Sequence, residues 1–427
     1  MNTPASRLVD TLNRECDCSF TDFEALRDYA HFFSAMPVFL EEGHAAEMRS
    51  IVGAVEAVVG LADYPSAVLK DAPSIAKLRP RTSGAFMGFD FHISPSGPRL
   101  IEINTNAGGA LLNIAAREAQ RACCSAADEF MLAQPGATEL EREVIAMFER
   151  EWRLARGDRP LRTIAIVDDK PRGQFLYPEF ELARNLFESR GIHTLIVDPE
   201  ELETGAESIS ARGEPIDLIY NRVTDFYFEE PRHEALRWCY QRDLAVITPH
   251  PHAHALYANK RNLAILSDAA ALERLGAPRE AIDVLTRGVP STRDVRGCEE
   301  TWWNDRKRWF FKPQSGYGSR GAYRGDKLTR KVFAEIVKGE YVAQQLVPPS
   351  ERQRSTSEGK QSFKLDVRCY VYEGKIQLMA ARVYQGQTTN FRTAGGGFAP
   401  VYRVTAAAGE IPSEVPNANR ASPTNCS

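Results

Sequence analysis

Residues 88–109, GFDFHISPSGPRLIEINTNAGG, decide how this chain is read. Two short β-rich runs, GAFMGFDFHI and PRLIEIN, flank SPSG, whose Pro and Gly read as a hairpin turn. Asp90 and Glu102 stand 12 positions apart, and antiparallel pairing through that turn brings them close across the ladder. Glu102 and Asn104 lie two apart on one strand and share a face. Two carboxylates and an amide oxygen form a hard oxygen set. Mg²⁺ favours such a set when phosphate oxygens complete its octahedron. Glu-Ile-Asn alone reads as an ordinary surface strand. The Asp partner and the NTNAGG turn, whose glycines let a ligand approach the backbone, make Asp90, Glu102 and Asn104 a candidate metal site.

The other candidate groups lie far downstream. Lys260 stands at a predicted helix start in LYANKRNLAIL, and Lys312 on a predicted strand in WFFKPQSGYGSRGAYRG. Ser315, Gly316, Gly318, Ser319 and Gly321 follow Lys312 in a hairpin whose amide N–H groups could cradle phosphate. The Walker pattern GxxxxGK[ST] is absent. EYVAQQLVPPSE reads as an edge strand stopped by Pro348 and Pro349. LDVRCYVYEGKIQLMAARVYQGQTTNFRTAGGG then carries Asp366, Arg368, Arg382, Asn390 and Arg392 on a β-rich stretch ending in glycines.

Together these segments resemble the ATP-grasp ligases. The Asp–x11–Glu–x–Asn arrangement resembles that family's last metal-binding hairpin, which holds two Mg²⁺ ions on the ATP phosphates. Lys260 and Lys312 match its two ATP lysines. Gln344, Gln345, Leu346 and Val347 match the hinge that holds adenine through backbone groups. Arg368 and Arg382 match its phosphate-clamping arginines, with Asp366 beside them. In the family's usual order the hairpin comes last. Here it comes first, and joining residue 403 onto 86 restores that order. The resemblance therefore implies a circularly permuted ATP-grasp fold, as in eukaryotic-type glutathione synthetases, which also carry an IEIN-type strand and a KPQ lysine. It nominates Arg222, in IYNRVTDFYFEEP, and Arg392 for substrate, Asn390 for catalysis, and Gly395–Gly397 for a mobile lid. One departure stands out: that group has a carboxylate four residues after the lysine, where this chain has Gly316. Glutathione is accordingly a poor expectation for the product.

The implied class is mixed α/β. Residues 1–84 read as a helical region, 85–135 as the hairpin plus helix, and 136–255 as a small parallel α/β substrate domain. Residues 256–403 read as the nucleotide-binding part and 404–427 as a loose polar tail. The implied reaction joins a small-molecule carboxylate to an amine through an acyl-phosphate, using ATP and Mg²⁺. A phosphotransferase or a non-catalytic ATP-binding protein of the same fold are the alternatives. Over 427 residues the net charge is −4, so no strong basic field draws nucleic acid or an anionic membrane. No 18-residue apolar run or signal-peptide pattern is present, and the eight cysteines form no CxxC pair. A cytoplasmic location is expected. His250, His252 and His254 alternate, but Pro249 and Pro251 argue for a loop over a metal-binding strand. Trp302–Trp303 reads as packing.

Overall fold

A computed structural model describes residues 31–121, 131–296, 299–316, 321–356, 359–386 and 395–405. Its centre is a seven-stranded sheet. The strands run in the order Val38–Glu41, Gly397–Val404, Lys375–Tyr384, Gly359–Tyr372, Met87–Ser94 and Gly97–Asn104, with Ser350–Thr356 paired to the free half of Gly359–Tyr372. All neighbours are antiparallel except the first pair.

The period-two pattern explains both faces of this sheet. Phe89, Phe91, Leu365, Val367, Cys369, Ala381 and Val383 point into one core beneath the helix Glu42–Val59, where Met48, Ile51 and Val55 are buried. That helix packs on the helix Arg279–Gly288, and a Cβ on Gly288 would come within 2.6 Å of Ile51. On the opposite face Tyr370, Tyr372, Leu378 and Ala380 join a second core with the helices Ala110–Arg121 and Ala137–Arg156. Further along that same face the apolar residues give way to Asp90, Asp366, Arg368 and Arg382, which are the charged residues of the site.

Residues 163–248 form the expected parallel α/β unit, with strands ordered Val246–Thr248, Leu218–Asn221, Thr163–Val167 and His193–Val197. A third sheet, Thr292–Asp294, Tyr341–Gln345, Trp309–Pro313 and Tyr323–Arg324, is antiparallel and carries Lys312. Trp302 packs beneath it, edge-on to Trp309 at 5.1 Å between ring centroids.

Two elements depart from the sequence reading. Val38–Glu41 is a strand, where residues 1–84 read as a helical region; it pairs in parallel with Gly397–Val404, a partner no local pattern discloses. A small meander, Leu202–Thr204, Ile209–Ala211 and Glu214–Pro215, interrupts the parallel unit. No described helix is long and apolar enough to cross a membrane.

Candidate active site

The hairpin forms as expected. Met87–Ser94 pairs with Gly97–Asn104, and Asp90 stands opposite Glu102. The register shifts beside Asp90, so Ile101 has no pairing partner in the ladder. Such a bulge frees backbone groups, and the Ile101 carbonyl accepts a hydrogen bond from Lys312 Nζ at 2.9 Å. The same ammonium donates to Gln344 Oε1 at 2.9 Å. Lys260 Nζ lies 3.0 Å from Glu102 Oε1 and donates to the Gly316 carbonyl at 3.0 Å. Residues more than 150 positions apart in the chain thus meet on one carboxylate-bearing strand.

These groups line a cavity of about 200 Å³ together with Val347, Asp366 and Arg382. Its electrostatics follow from burial and charge. Burial pushes the Lys312 ammonium down to about 8, although Glu102 opposes the shift. Burial would raise Glu102, but Lys260 and Lys312 more than offset it and hold the carboxyl below its ordinary range.

Asp90 and Arg368 are direct cross-strand partners, as are Asp366 and Arg382. Arg368 grips Asp90 with two parallel bonds, Nε to Oδ1 at 2.6 Å and NH2 to Oδ2 at 2.7 Å. Arg382 donates to Asp90 Oδ2 at 2.8 Å and to Asp366 Oδ1 at 2.6 Å. Asn104 Nδ2 adds a fourth bond to Asp90 at 3.0 Å. Asp90 has no exposed surface. Burial would raise its carboxyl, and the two guanidinium groups outweigh that and hold it low. Asp90 thus sits beside Glu102 and Asn104 as expected, but its oxygens already receive donors. Among the described residues no group of three or more His, Cys, Asp or Glu side chains is arranged to hold a metal ion. Glu102 and the oxygen of Asn104, whose nitrogen is turned to Asp90, are hard oxygens of the kind Mg²⁺ takes, and Glu102 Oε1 also meets Lys260 at 3.0 Å.

Other expected groups are placed as follows. Gln344, Gln345, Leu346 and Val347 line the cavity. Part of their backbone already has partners: Gln345 N–H donates to Ser291, Leu346 N–H to Arg308, and the Val347 carbonyl lies 2.7 Å from His92 Nδ1. Gly316 lines this cavity, whereas Ser315 faces a neighbouring one. Gly318, Ser319, Asn390 and Arg392 lie outside the described residues. Arg222 is not among the residues lining the cavity. It is buried, bonded to Asn106 Oδ1 and to Tyr220 at 3.4 Å, near Glu179 and Asp168. Burial raises Asp168 to about 7 despite Arg222.

The NTNAGG glycines serve a different purpose from the one read in the sequence. A Cβ on Gly108 would sit 2.3 Å from Leu176 and 2.8 Å from Arg222 NH2; one on Gly109 would sit 2.3 Å from the Phe398 ring. The close approach is by the protein's own side chains. His92 was overlooked, although it stands two positions after Asp90 and so on the same face. His250, His252 and His254 are buried apart, on Thr82 O at 3.2 Å, Ala76 O at 2.7 Å and Thr105 Oγ1 at 3.2 Å respectively.

No protein-family model matches the chain, and no curated protein does. Solved structures do. A glutathione synthetase-like effector from Globodera pallida, in apo form, matches with a TM-score of 0.56 at 12% identity, covering 87% of this chain and 90% of the other. A putative gamma-glutamylcysteine synthetase from Methylobacillus flagellatus KT matches at 9% identity and TM-score 0.49, over 84% and 86% of the two chains. The D-cycloserine synthetase DcsG matches at 15% identity and TM-score 0.29, over 56% of this chain and 90% of its own. The first of these, the glutathione synthetase-like effector, shares its fold with this chain, a mixed α/β architecture.

Proposed function

We propose that this chain is an ATP- and Mg²⁺-dependent ligase that joins a carboxylate to an amine through an acyl-phosphate, releasing ADP and phosphate. The observation that carries the reading is the convergence of Glu102, Lys260, Lys312 and Arg382 on one cavity, from four separate stretches of chain. Phosphoryl transfer needs positioning and charge neutralisation more than covalent help from the protein. Two lysines and an arginine around a single pocket supply that.

Lys260 and Lys312 would hold ATP phosphate oxygens. Lys260 would exchange its bonds to Glu102 and Gly316 for phosphate. Glu102 and Asn104 would hold Mg²⁺, which supplies charge neutralisation on the phosphates when bound. Asp90 we assign to fixing Arg368 and Arg382 in place. Arg382, on the cavity wall, would meet the transferring group and the oxyanion that forms when the amine attacks the acyl carbon. The attacking amine loses a proton as the C–N bond forms, and phosphate leaves with the electron pair of the C–O bond. Arg222 and Arg392 remain candidates for a substrate carboxylate, Asn390 for catalysis, and Ser315, Gly318 and Ser319 for the phosphates.

We also read the ATP-grasp unit as circularly permuted. Support comes from the 87–104 hairpin, which hydrogen-bonds directly to Gly359–Tyr372 although it precedes it by more than 250 residues. The domain limits and cytoplasmic location given by the sequence stand as part of this proposal.

The test is release of ADP and phosphate from Mg-ATP against a library of amino acids, peptides and polyamines, with Glu102→Ala as control. Release that requires two co-substrates and is lost in the variant is expected. Release with one substrate and a phosphorylated product would make the chain a phosphotransferase. ATP binding without turnover of any pair would favour a binding protein.

A further inference from the structure

His92 stands on the strand Met87–Ser94, two positions beyond Asp90. It lines the nucleotide cavity and is half-buried there. Its Nδ1 lies 2.7 Å from the Val347 carbonyl. A carbonyl only accepts, so Nδ1 carries the ring proton. A neutral imidazole has one such proton, which leaves Nε2 as an acceptor. Burial holds the imidazole below its ordinary pKa, helped by Lys312 and Arg382, although Asp366 and the Val347 bond oppose the shift. Among the described residues Nε2 takes part in no hydrogen bond. The ring is also held in place. Ser350 Oγ donates to the Ile93 carbonyl at 2.9 Å, so the chain just after Val347 is tied to the same strand a second time.

The cavity wall divides by charge. Lys260, Lys312 and Glu102 gather on one part of it, with Lys260 Nζ 3.0 Å from Glu102. The consecutive residues Leu346, Val347 and Pro348 make an uncharged stretch, and His92 is bonded to that stretch. A nucleotide whose phosphates rest on the two lysines turns its base away from them, toward the uncharged wall. There the Val347 carbonyl, an acceptor that a base amine could use, is already engaged. His92 takes up that carbonyl and presents Nε2 as an acceptor.

We propose that His92 is a specificity-determining residue of the nucleotide cavity: its Nε2 accepts a hydrogen bond from the exocyclic amine of adenine. A purine with hydrogen at that carbon leaves Nε2 unpaired, and one with a keto oxygen sets two acceptors against each other. This deepens the ATP reading and rests on it.

Isothermal titration of the full chain with Mg²⁺ at neutral pH tests this with three probes. They are ADP, purine riboside 5′-diphosphate, which lacks the amine, and IDP, which carries a keto oxygen in its place. The wild type should bind ADP about fivefold more tightly than purine riboside diphosphate, the worth of one neutral hydrogen bond. IDP should also bind more weakly than ADP. His92→Phe keeps a ring of similar shape and removes Nε2. It also removes the bond to Val347, so a loss common to all three probes reports on that bond, and the ratio between probes reports on Nε2. In this variant the preference for ADP over purine riboside diphosphate should fall to about onefold. Equal binding of those two probes by the wild type, or an unchanged ratio in His92→Phe, would overturn the role of His92 and leave the ATP reading standing. A chain that binds none of the three would remove both.

Discussion

Replacing Asp90 by Asn tests the assignment of this residue as an anchor for two arginines. Asp90 has no exposed surface and accepts four hydrogen bonds, from Arg368 at 2.6 and 2.7 Å, Arg382 at 2.8 Å and Asn104 at 3.0 Å. The substitution removes the negative charge and turns an amide N–H₂ toward a donor. Arg382 keeps Asp366 at 2.6 Å, so the loss falls mainly on buried Arg368. Breaking one partner of a buried ion pair costs about 3–5 kcal/mol. Urea unfolding of the wild type, Asp90→Asn, Arg368→Met and the double variant, all without nucleotide or magnesium, gives the coupling directly. We expect Asp90→Asn to lose about 3–5 kcal/mol and the double variant to lose clearly less than the sum of the two singles. If Asp90→Asn matched the wild type in metal-free buffer and fell behind only with Mg-ATP present, the anchor reasoning would be refuted and Asp90 would be a metal ligand.

Three further outcomes are expected. Burial holds the folded-state carboxyl of Asp168 at about 7, above the ordinary 3.8, so the folded chain keeps a proton that the unfolded chain releases. Its contribution is complete below about pH 4 and is lost as pH rises through 7; Asp168→Asn should flatten the fall in stability between pH 5 and 8 by up to about 3 kcal/mol, and a curve parallel to the wild type would contradict this. Gly109→Ala places a Cβ 2.3 Å from Phe398 at a φ of +96°, which should lower stability by about 1–3 kcal/mol or more in thermal melts. Glu102→Ala should abolish nucleotide turnover while leaving the melting midpoint close to that of the wild type, because the lost partner, Lys260, keeps the Gly316 carbonyl at 3.0 Å.

Much of the site was legible because it lies on strands. Period-two alternation in FKLDVRCYVY separates Leu365, Val367 and Cys369, which are buried in the core, from Asp366 and Arg368 on the other face. The same rule set Glu102 and Asn104 on one side of their strand and would have found His92. Lys260 and Lys312 were readable as a pair only through family resemblance, since nothing local links positions 52 residues apart. Val38–Glu41 was hidden because PVFLEE runs straight into a strong helical period, and only its parallel partner at 397–404 makes it a strand. Pro249 and Pro251 argued for a loop, and against a metal-binding strand, at the alternating histidines. The chain turns helical after Pro251, and each imidazole finds a different neighbour.

The amino-acid sequence by itself determined which residues share a face, where the hairpin turns, and the parallel α/β character of the 163–248 unit. Backbone sterics and side-chain alternation act over a few residues, so they can be read along the chain. Which charge meets which was decided only by the tertiary structure. The partner of Asp90 is Arg368, 278 residues away, and that of Glu102 is Lys260. A carboxylate is a metal ligand, an arginine anchor or a lysine partner according to what burial brings within about 3 Å of its oxygens.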